Sequence, residues 1–183
     1  MRGIAGTNHR VFYAMKANSN LALLKFFHDS GTGFDIVSRG ELQRALMAGA
    51  KGDDIVYSGV GKSREDIRAA LRADIGCFNV ESIPELDRIN EVALEEKRVA
   101  PVSVRVNPDV DANTHPYIST GLKNNKFGVS YDQTVALNQR AATLPGIRIS
   151  GIDMHIGSQI TELEPFVHAA DKIFDIVDAL AQN

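Results

Sequence analysis

Cysteine is almost absent from this chain: Cys77 is the only one in 183 residues. One thiol excludes an internal disulfide framework and suits a reducing compartment. Long apolar runs are missing as well. The longest fall far short of the ~20 residues that cross a bilayer as a helix. The opening stretch Met1-Arg2-Gly3-Ile4-Ala5-Gly6 has no continuous apolar core of the signal-peptide kind. The expected location is therefore cytoplasmic, with no membrane partner. Charge of one sign is not in excess: the net value is −3, with both signs interspersed. A chain without a basic stripe is not expected to bind nucleic acid. No histidine pair stands at zinc spacing, and the segment around His155 offers a single nitrogen, so no metal site is expected. Nor is there a nucleotide P-loop. Gly59-Val60-Gly61-Lys62-Ser63 lacks the first glycine of G-x-x-x-x-G-K-[ST], since Val56 occupies that position. A turn into a capped helix explains the stretch. Linkers, low-complexity tracts and repeats are also missing, and 44% hydrophobic content suits one domain with one core.

What is present is a regular alternation of strand and helix patterns. The apolar run from Val11 ends abruptly at Lys16, and a helical segment with Leu23, Leu24 and Phe27 follows, ended by Gly31. Residues 33–38 read as a second strand, and Arg39-Gly40-Glu41 opens a helix with Leu42, Ala45 and Leu46 on one face. Strand 55–59 leads to a helix near Ser63, where Asp66 completes a capping-box pattern ahead of Ile67, Ala70 and Leu71. Strand 75–80 precedes Ser82-Ile83-Pro84-Glu85, a cap with proline in the first turn, and Leu86, Ile89 and Ala93 face inward. Strand 101–108 runs into a polar connection over 109–128, long enough to be expected functional. A weaker helix over 132–144, a strand over 147–156 and a helix striped by Phe166, Ala170, Ile173, Val177 and Leu180 complete six units.

Six such units predict a parallel sheet with right-handed crossovers. Unit count fits an open doubly wound sheet, whereas a (β/α)₈ barrel needs two more units. The polar residues favour the barrel. Lys16, Asp35, Ser38, Arg105, Asn107, His155 and Ser158 stand at or just beyond the carboxyl ends of several strands. A barrel gathers chemistry from many strand ends, while an open sheet concentrates it at one switch point. The expected architecture is an incomplete barrel.

Individually these residues have two readings. Lys16 is either a lysine that reaches solvent from a strand end or a partly desolvated amine able to attack a carbonyl and form a Schiff base. His155 is either a hydrogen-bonded core histidine or a site residue. Ser158, behind a glycine, either caps a turn or offers its hydroxyl and N–H to an anionic oxygen. Arg105, if inward, needs an anion: Asp35, Glu41 or a bound phosphate or carboxylate. Cys77 reads as a small core residue. Residues 114–128 have the composition of an ordered binding loop.

The run Phe12-Tyr13-Ala14-Met15-Lys16-Ala17-Asn18-Ser19-Asn20 resembles the cofactor-lysine strand of the fold-type III pyridoxal-phosphate decarboxylases. Residues 33–42 resemble their second strand. Four further segments, 57–62, 105–110, 114–128 and 155–160, resemble the diaminopimelate branch of that family. The matches run collinearly over nearly the whole chain. The resemblance implies an alanine-racemase-like (β/α)₈ barrel domain and a pyridoxal 5'-phosphate cofactor bound to Lys16 as an internal aldimine. It implies that His155 stacks on the pyridine ring, that Ser158 helps to hold the phosphate, and that Asp35, Glu41 and Arg105 surround the cofactor and its lysine. The implied reaction is decarboxylation of the small amino acid meso-diaminopimelate to L-lysine, the last step of lysine biosynthesis, by a homodimer with its active site at the interface.

Family members carry an N-terminal segment before the cofactor strand, a glycine-rich phosphate loop, an acidic partner for the ring nitrogen, a cysteine acid and a C-terminal β-domain. These have no counterpart in residues 1–183, and Cys77 does not match that cysteine. The chain is thus expected to be a partial barrel domain, inactive alone, of an active parent. Alternatives are a related decarboxylase acting on arginine, ornithine or carboxynorspermidine, a noncatalytic pyridoxal-phosphate carrier, and a remnant without function. The 114–128 stretch argues against the carrier.

Overall fold

Alternate residues along each strand face two different environments, and that alternation builds the molecule. The computed structural model describes residues 9–107, 128–158 and 160–181; most of the expected loop over 114–128 lies outside them. Strand β2 (Gly33–Ile36) buries Phe34 and Ile36 around a half-buried Asp35. Strand β4 (Cys77–Val80) buries Phe78 and Val80 and turns Cys77 and Asn79 the other way. Strand β5 (Ala100–Asn107) buries Val102, Val104 and Val106, with Arg105 on the opposite face. Strands β1 (Phe12–Ala14) and β3 (Ile55–Tyr57) are shorter, and β7 (Ile147–Met154) is as long as β5. A two-residue strand, β6 (Val129–Ser130), has no counterpart in the sequence expectation.

Every pairing is parallel, and the order is β1-β2-β3-β4-β5 with β7 beside β5. Order follows the chain without reversal. A doubly wound sheet would reverse at its switch point, so the monotonic order selects the barrel. Right-handed crossovers then put all helices on one face. These are α1 (Leu21–Asp29), α2 (Arg39–Met47), α3 (Arg64–Arg72), α4 (Ile83–Glu95), α5 (Tyr131–Thr143) and α6 (Glu164–Ala181). The core lies between that layer and the sheet, where Leu24, Leu42, Ile67, Leu86, Ile89 and Leu137 meet the outward strand residues. The fold is a (β/α)₈ barrel present here in part.

Helix starts are built as their sequences predict. Ser38 Oγ accepts from Glu41 N at 3.2 Å, Ser82 Oγ from Glu85 N at 3.3 Å, and Ser63 with Asp66 forms a complete capping box. Two expectations need correction. Leu46 is exposed, because α2 turns Leu42 and Ala45 inward and leaves the next position in solvent. In α6 Ala169 and Ile176 are buried and Ile173 and Leu180 pack partly buried against the core, while Phe166 and Val177 face out. The inward face is turned from the predicted one by about half a residue step, and Ile173 and Leu180 belong to both.

Glycine is required at Gly128, where φ is +78° and a Cβ would fall 2.9 Å from the Arg105 carbonyl oxygen. Its absence lets β6 lie against the end of β5, in register Val106 to Val129 and Asn107 to Ser130.

Candidate functional site

The carboxyl ends of the strands surround a cavity of about 500 Å³, lined among others by Lys16, Asp35, Ser58, Asn79, Glu81, Arg105, Asp153, His155 and Ser158. Lys16 reaches it because β1 passes into a single 3₁₀ turn over Met15–Ala17. Met15 is wholly buried, and the next side chain therefore stands on the open side. Lys16 is solvent-exposed. Desolvation, which the sequence suggested as the source of a reactive amine, is not supplied by the described residues.

Asp35 projects inward from β2. Its Oδ1 accepts from Ser58 Oγ at 2.6 Å, and Ser58 Oγ accepts from Asn79 Nδ2 at 3.1 Å. One hydrogen-bonded line thus crosses β4, β3 and β2 on the inner face. Burial pushes the Asp35 carboxyl above the usual range, opposed in part by the Ser58 hydrogen bond and the Lys16 and Arg105 charges.

Arg105 is inward-facing and half-buried, as the chemistry requires. Among the described residues its hydrogen-bonded carboxylate is neither Asp35 nor Glu41 but Glu81, whose Oε1 accepts from Arg105 Nη1 at 3.1 Å and from Gly59 N at 3.2 Å. On the other side, strand register places Arg105 beside Asp153. Burial lifts the Asp153 carboxyl to about 6; Arg105 opposes that shift, and Asp35 and Glu81 add to it. His155, just past β7, is moved the other way. Burial first, then the Arg105 and Lys16 charges, depress its pKa below 6.5, so the imidazole is neutral at pH 7. At Gly157 φ is +144°, and that turn lets both His155 and Ser158 line the cavity.

Glu41 is not among the lining residues. Its carboxylate accepts from Val37 N at 2.7 Å, closing the start of α2 and fixing Val37, which does line the cavity. Ser38 is likewise occupied as the α2 cap. Asn107 is buried at the β5 end, outside the lining. Sequence reasoning missed Ser58, Asn79, Glu81 and Asp153. The signal was present for two of them: Asn79 and Glu81 alternate with buried Phe78 and Val80, the pattern of an inner face.

The cavity therefore offers an accessible primary amine, a neutral imidazole, a serine hydroxyl and a guanidinium held between carboxylates. The sequence profile of the pyridoxal-dependent decarboxylases, pyridoxal binding domain, matches residues 3–183. The diaminopimelate decarboxylase of Pseudomonas aeruginosa is 56% identical over 178 residues, 97% of this chain and 43% of that protein. The crystal structure of diaminopimelate decarboxylase from Helicobacter pylori complexed with L-lysine superposes with a TM-score of 0.96 at 43% identity, over 99% of this chain and 46% of that one. Diaminopimelate decarboxylase from M. jannaschii in co-complex with L-lysine gives 0.89 at 40% identity, over 99% and 42%. The chain spans less than half the length of these relatives.

Proposed function

This chain belongs to the pyridoxal-dependent decarboxylase family, and on that basis we propose that it is the cofactor-binding part of an enzyme converting meso-diaminopimelate to L-lysine and CO₂. The observation that carries the proposal is the convergence of Lys16, Arg105, His155 and Ser158 on one cavity. Identity of 56% to a diaminopimelate decarboxylase supports the choice of substrate.

The residues fit pyridoxal phosphate. About 500 Å³ lies within the range of small-ligand sites. Among the described residues Lys16 is the one lysine on the cavity wall, and it would hold the cofactor covalently. His155, neutral at pH 7, would present a ring face without placing a cation on the pyridine. Ser158 would donate its hydroxyl to the phosphate, helped by the turn at Gly157. Arg105 would hold an anionic oxygen while Glu81 fixes its guanidinium. Asp35, tied to Ser58, offsets positive charge from Lys16. Glu41 would act at one remove, by fixing Val37. When bound, the cofactor supplies an electron sink for the carbon that loses CO₂.

The proposed domain arrangement makes residues 1–183 part of the barrel of a longer parent enzyme whose β-rich domain lies elsewhere. That parent is proposed to be a cytoplasmic homodimer with its site at the subunit interface. Among the described residues no helix is long and apolar enough to cross a membrane.

Two measurements on the parent-length protein test the proposal. Borohydride reduction after loading with pyridoxal phosphate should leave the pyridoxyl mark on Lys16, and Lys16→Ala should abolish it. A mark on a different lysine overturns the assignment. Release of CO₂ should be fastest from meso-diaminopimelate, and a preference for arginine or ornithine overturns the substrate.

A further inference from the structure

Lys62 is a buried lysine that the proposed chemistry leaves unused. Its side chain is 1% exposed, and its partner Glu85 is 5% exposed. Lys62 Nζ donates to Gly59 O at 2.6 Å, to Asn79 O at 2.8 Å and to Glu85 Oε1 at 2.7 Å, which occupies all three of its N–H groups. Stability alone is a weak reason for such a pair, because apolar residues of similar volume often serve as well or better. Geometry is the stronger one. The three acceptors come from the turn after β3, from β4 and from the first turn of α4, so one ammonium ties three segments together.

Those segments converge on Glu81. The other oxygen of Glu85, Oε2, accepts from Glu81 N at 2.8 Å. Gly59, fixed through its carbonyl, directs its N–H to Glu81 Oε1 at 3.2 Å. It does so with φ at +88°, a region that favours glycine. Two routes thus run from Lys62 to one residue, through Gly59 and through Glu85. Glu81 in turn holds Arg105 at 3.1 Å on the cavity wall. Its side chain is 2% exposed, and among the described residues its Oε2 has no hydrogen-bond partner.

We propose that Lys62 and Glu85 are positioning residues: a buried brace that fixes the Glu81 carboxylate, and through it Arg105, for the cofactor. The inference rests on the assignment of the cavity to pyridoxal phosphate. If the brace acts only on stability, its removal should change melting and nothing at the cavity. If it positions Glu81, cofactor binding should change in a protein that remains folded.

The test uses the parent-length protein and three variants: Lys62→Met/Glu85→Leu, which removes both charges together, Glu81→Gln, and the triple combination. Pyridoxal-phosphate affinity is measured by fluorescence titration, and the bound cofactor by absorbance and visible circular dichroism. The double variant should keep its far-ultraviolet spectrum, lose at least tenfold in affinity and shift the bound-cofactor band. Adding Glu81→Gln should change affinity less than twofold further, because both act through one carboxylate. A folded double variant with parental affinity and spectrum overturns the brace, as do fully multiplicative effects. Should the double variant not fold, Glu85→Gln takes its place, with at least a threefold loss expected and parental binding overturning the proposal. A parent protein that binds no pyridoxal phosphate overturns the cavity assignment itself, whereas normal parental binding beside unaffected variants overturns only the brace.

Discussion

Asp153 shows how one residue is set by its neighbours. It stands beside Arg105 in the strand register, yet its carboxyl is raised to about 6, because burial and the nearby carboxylates outweigh the guanidinium. The folded chain therefore holds a proton there that the unfolded chain, near the ordinary carboxylate pKa of about 4, has released. Stability from this group falls as pH rises from about 4 to about 6, and above that range the full penalty of a buried anion is present. Asp153→Asn should thus stabilise the cofactor-free parent protein at pH 8 by an amount on the order of 2 kcal/mol, seen as a higher melting temperature. At pH 4 the gain should vanish. Scanning calorimetry at the two pH values decides the matter, and an equal or larger gain at pH 4 would remove burial as the cause. His155 has the opposite sign: its pKa is depressed by burial and by the Arg105 and Lys16 charges, so it costs stability as pH falls below 6.5, whereas the Asp153 penalty grows as pH rises.

At the scale of elements, alternation and capping carried the fold, and register carried the site. Phe34 and Ile36 around Asp35, or the Ser63–Asp66 box, are local patterns that a sequence displays directly. Glu81 and Arg105 are 24 residues apart and become neighbours only because Val80 pairs with Val104. Asp35 and Ser58 meet because Ile36 pairs with Tyr57. No local pattern states which residue of one strand lies beside which residue of the next, and that is why the sequence offers Asp35, Glu41 or a bound anion to Arg105 and not Glu81. Strand β6 escaped for a different reason, since two residues show no periodicity. It depends on Gly128. Gly128→Ala places a methyl 2.9 Å from the Arg105 carbonyl oxygen in a left-handed backbone. The expected loss is about 1–3 kcal/mol, read from the urea midpoint of the parent protein. An unchanged midpoint would mean that β6 is not held against β5 in this way.

On the scale of the whole molecule, the described sheet pairs β1 only with β2, and leaves the β7 side away from β5 without a strand. Ile149 in the middle of β7 is exposed. Along α6, Phe166, Val167, Phe174 and Val177 form an apolar stripe with exposures of 45–64%. Free strand edges template pairing with other chains, and an apolar stripe of this kind promotes association. A complete eight-unit barrel has neither feature, because its strands close on themselves and its helices cover one another. The 183-residue chain expressed alone should therefore self-associate and bind the dye ANS, whereas the parent-length protein should do neither beyond its own defined oligomer. Light scattering over a tenfold concentration range, with ANS fluorescence alongside, makes the comparison. A monodisperse, ANS-silent isolated chain would show that residues outside those described cover both surfaces. In that case the barrel half would be an autonomous folding unit, and cofactor binding to the isolated chain would become the decisive measurement.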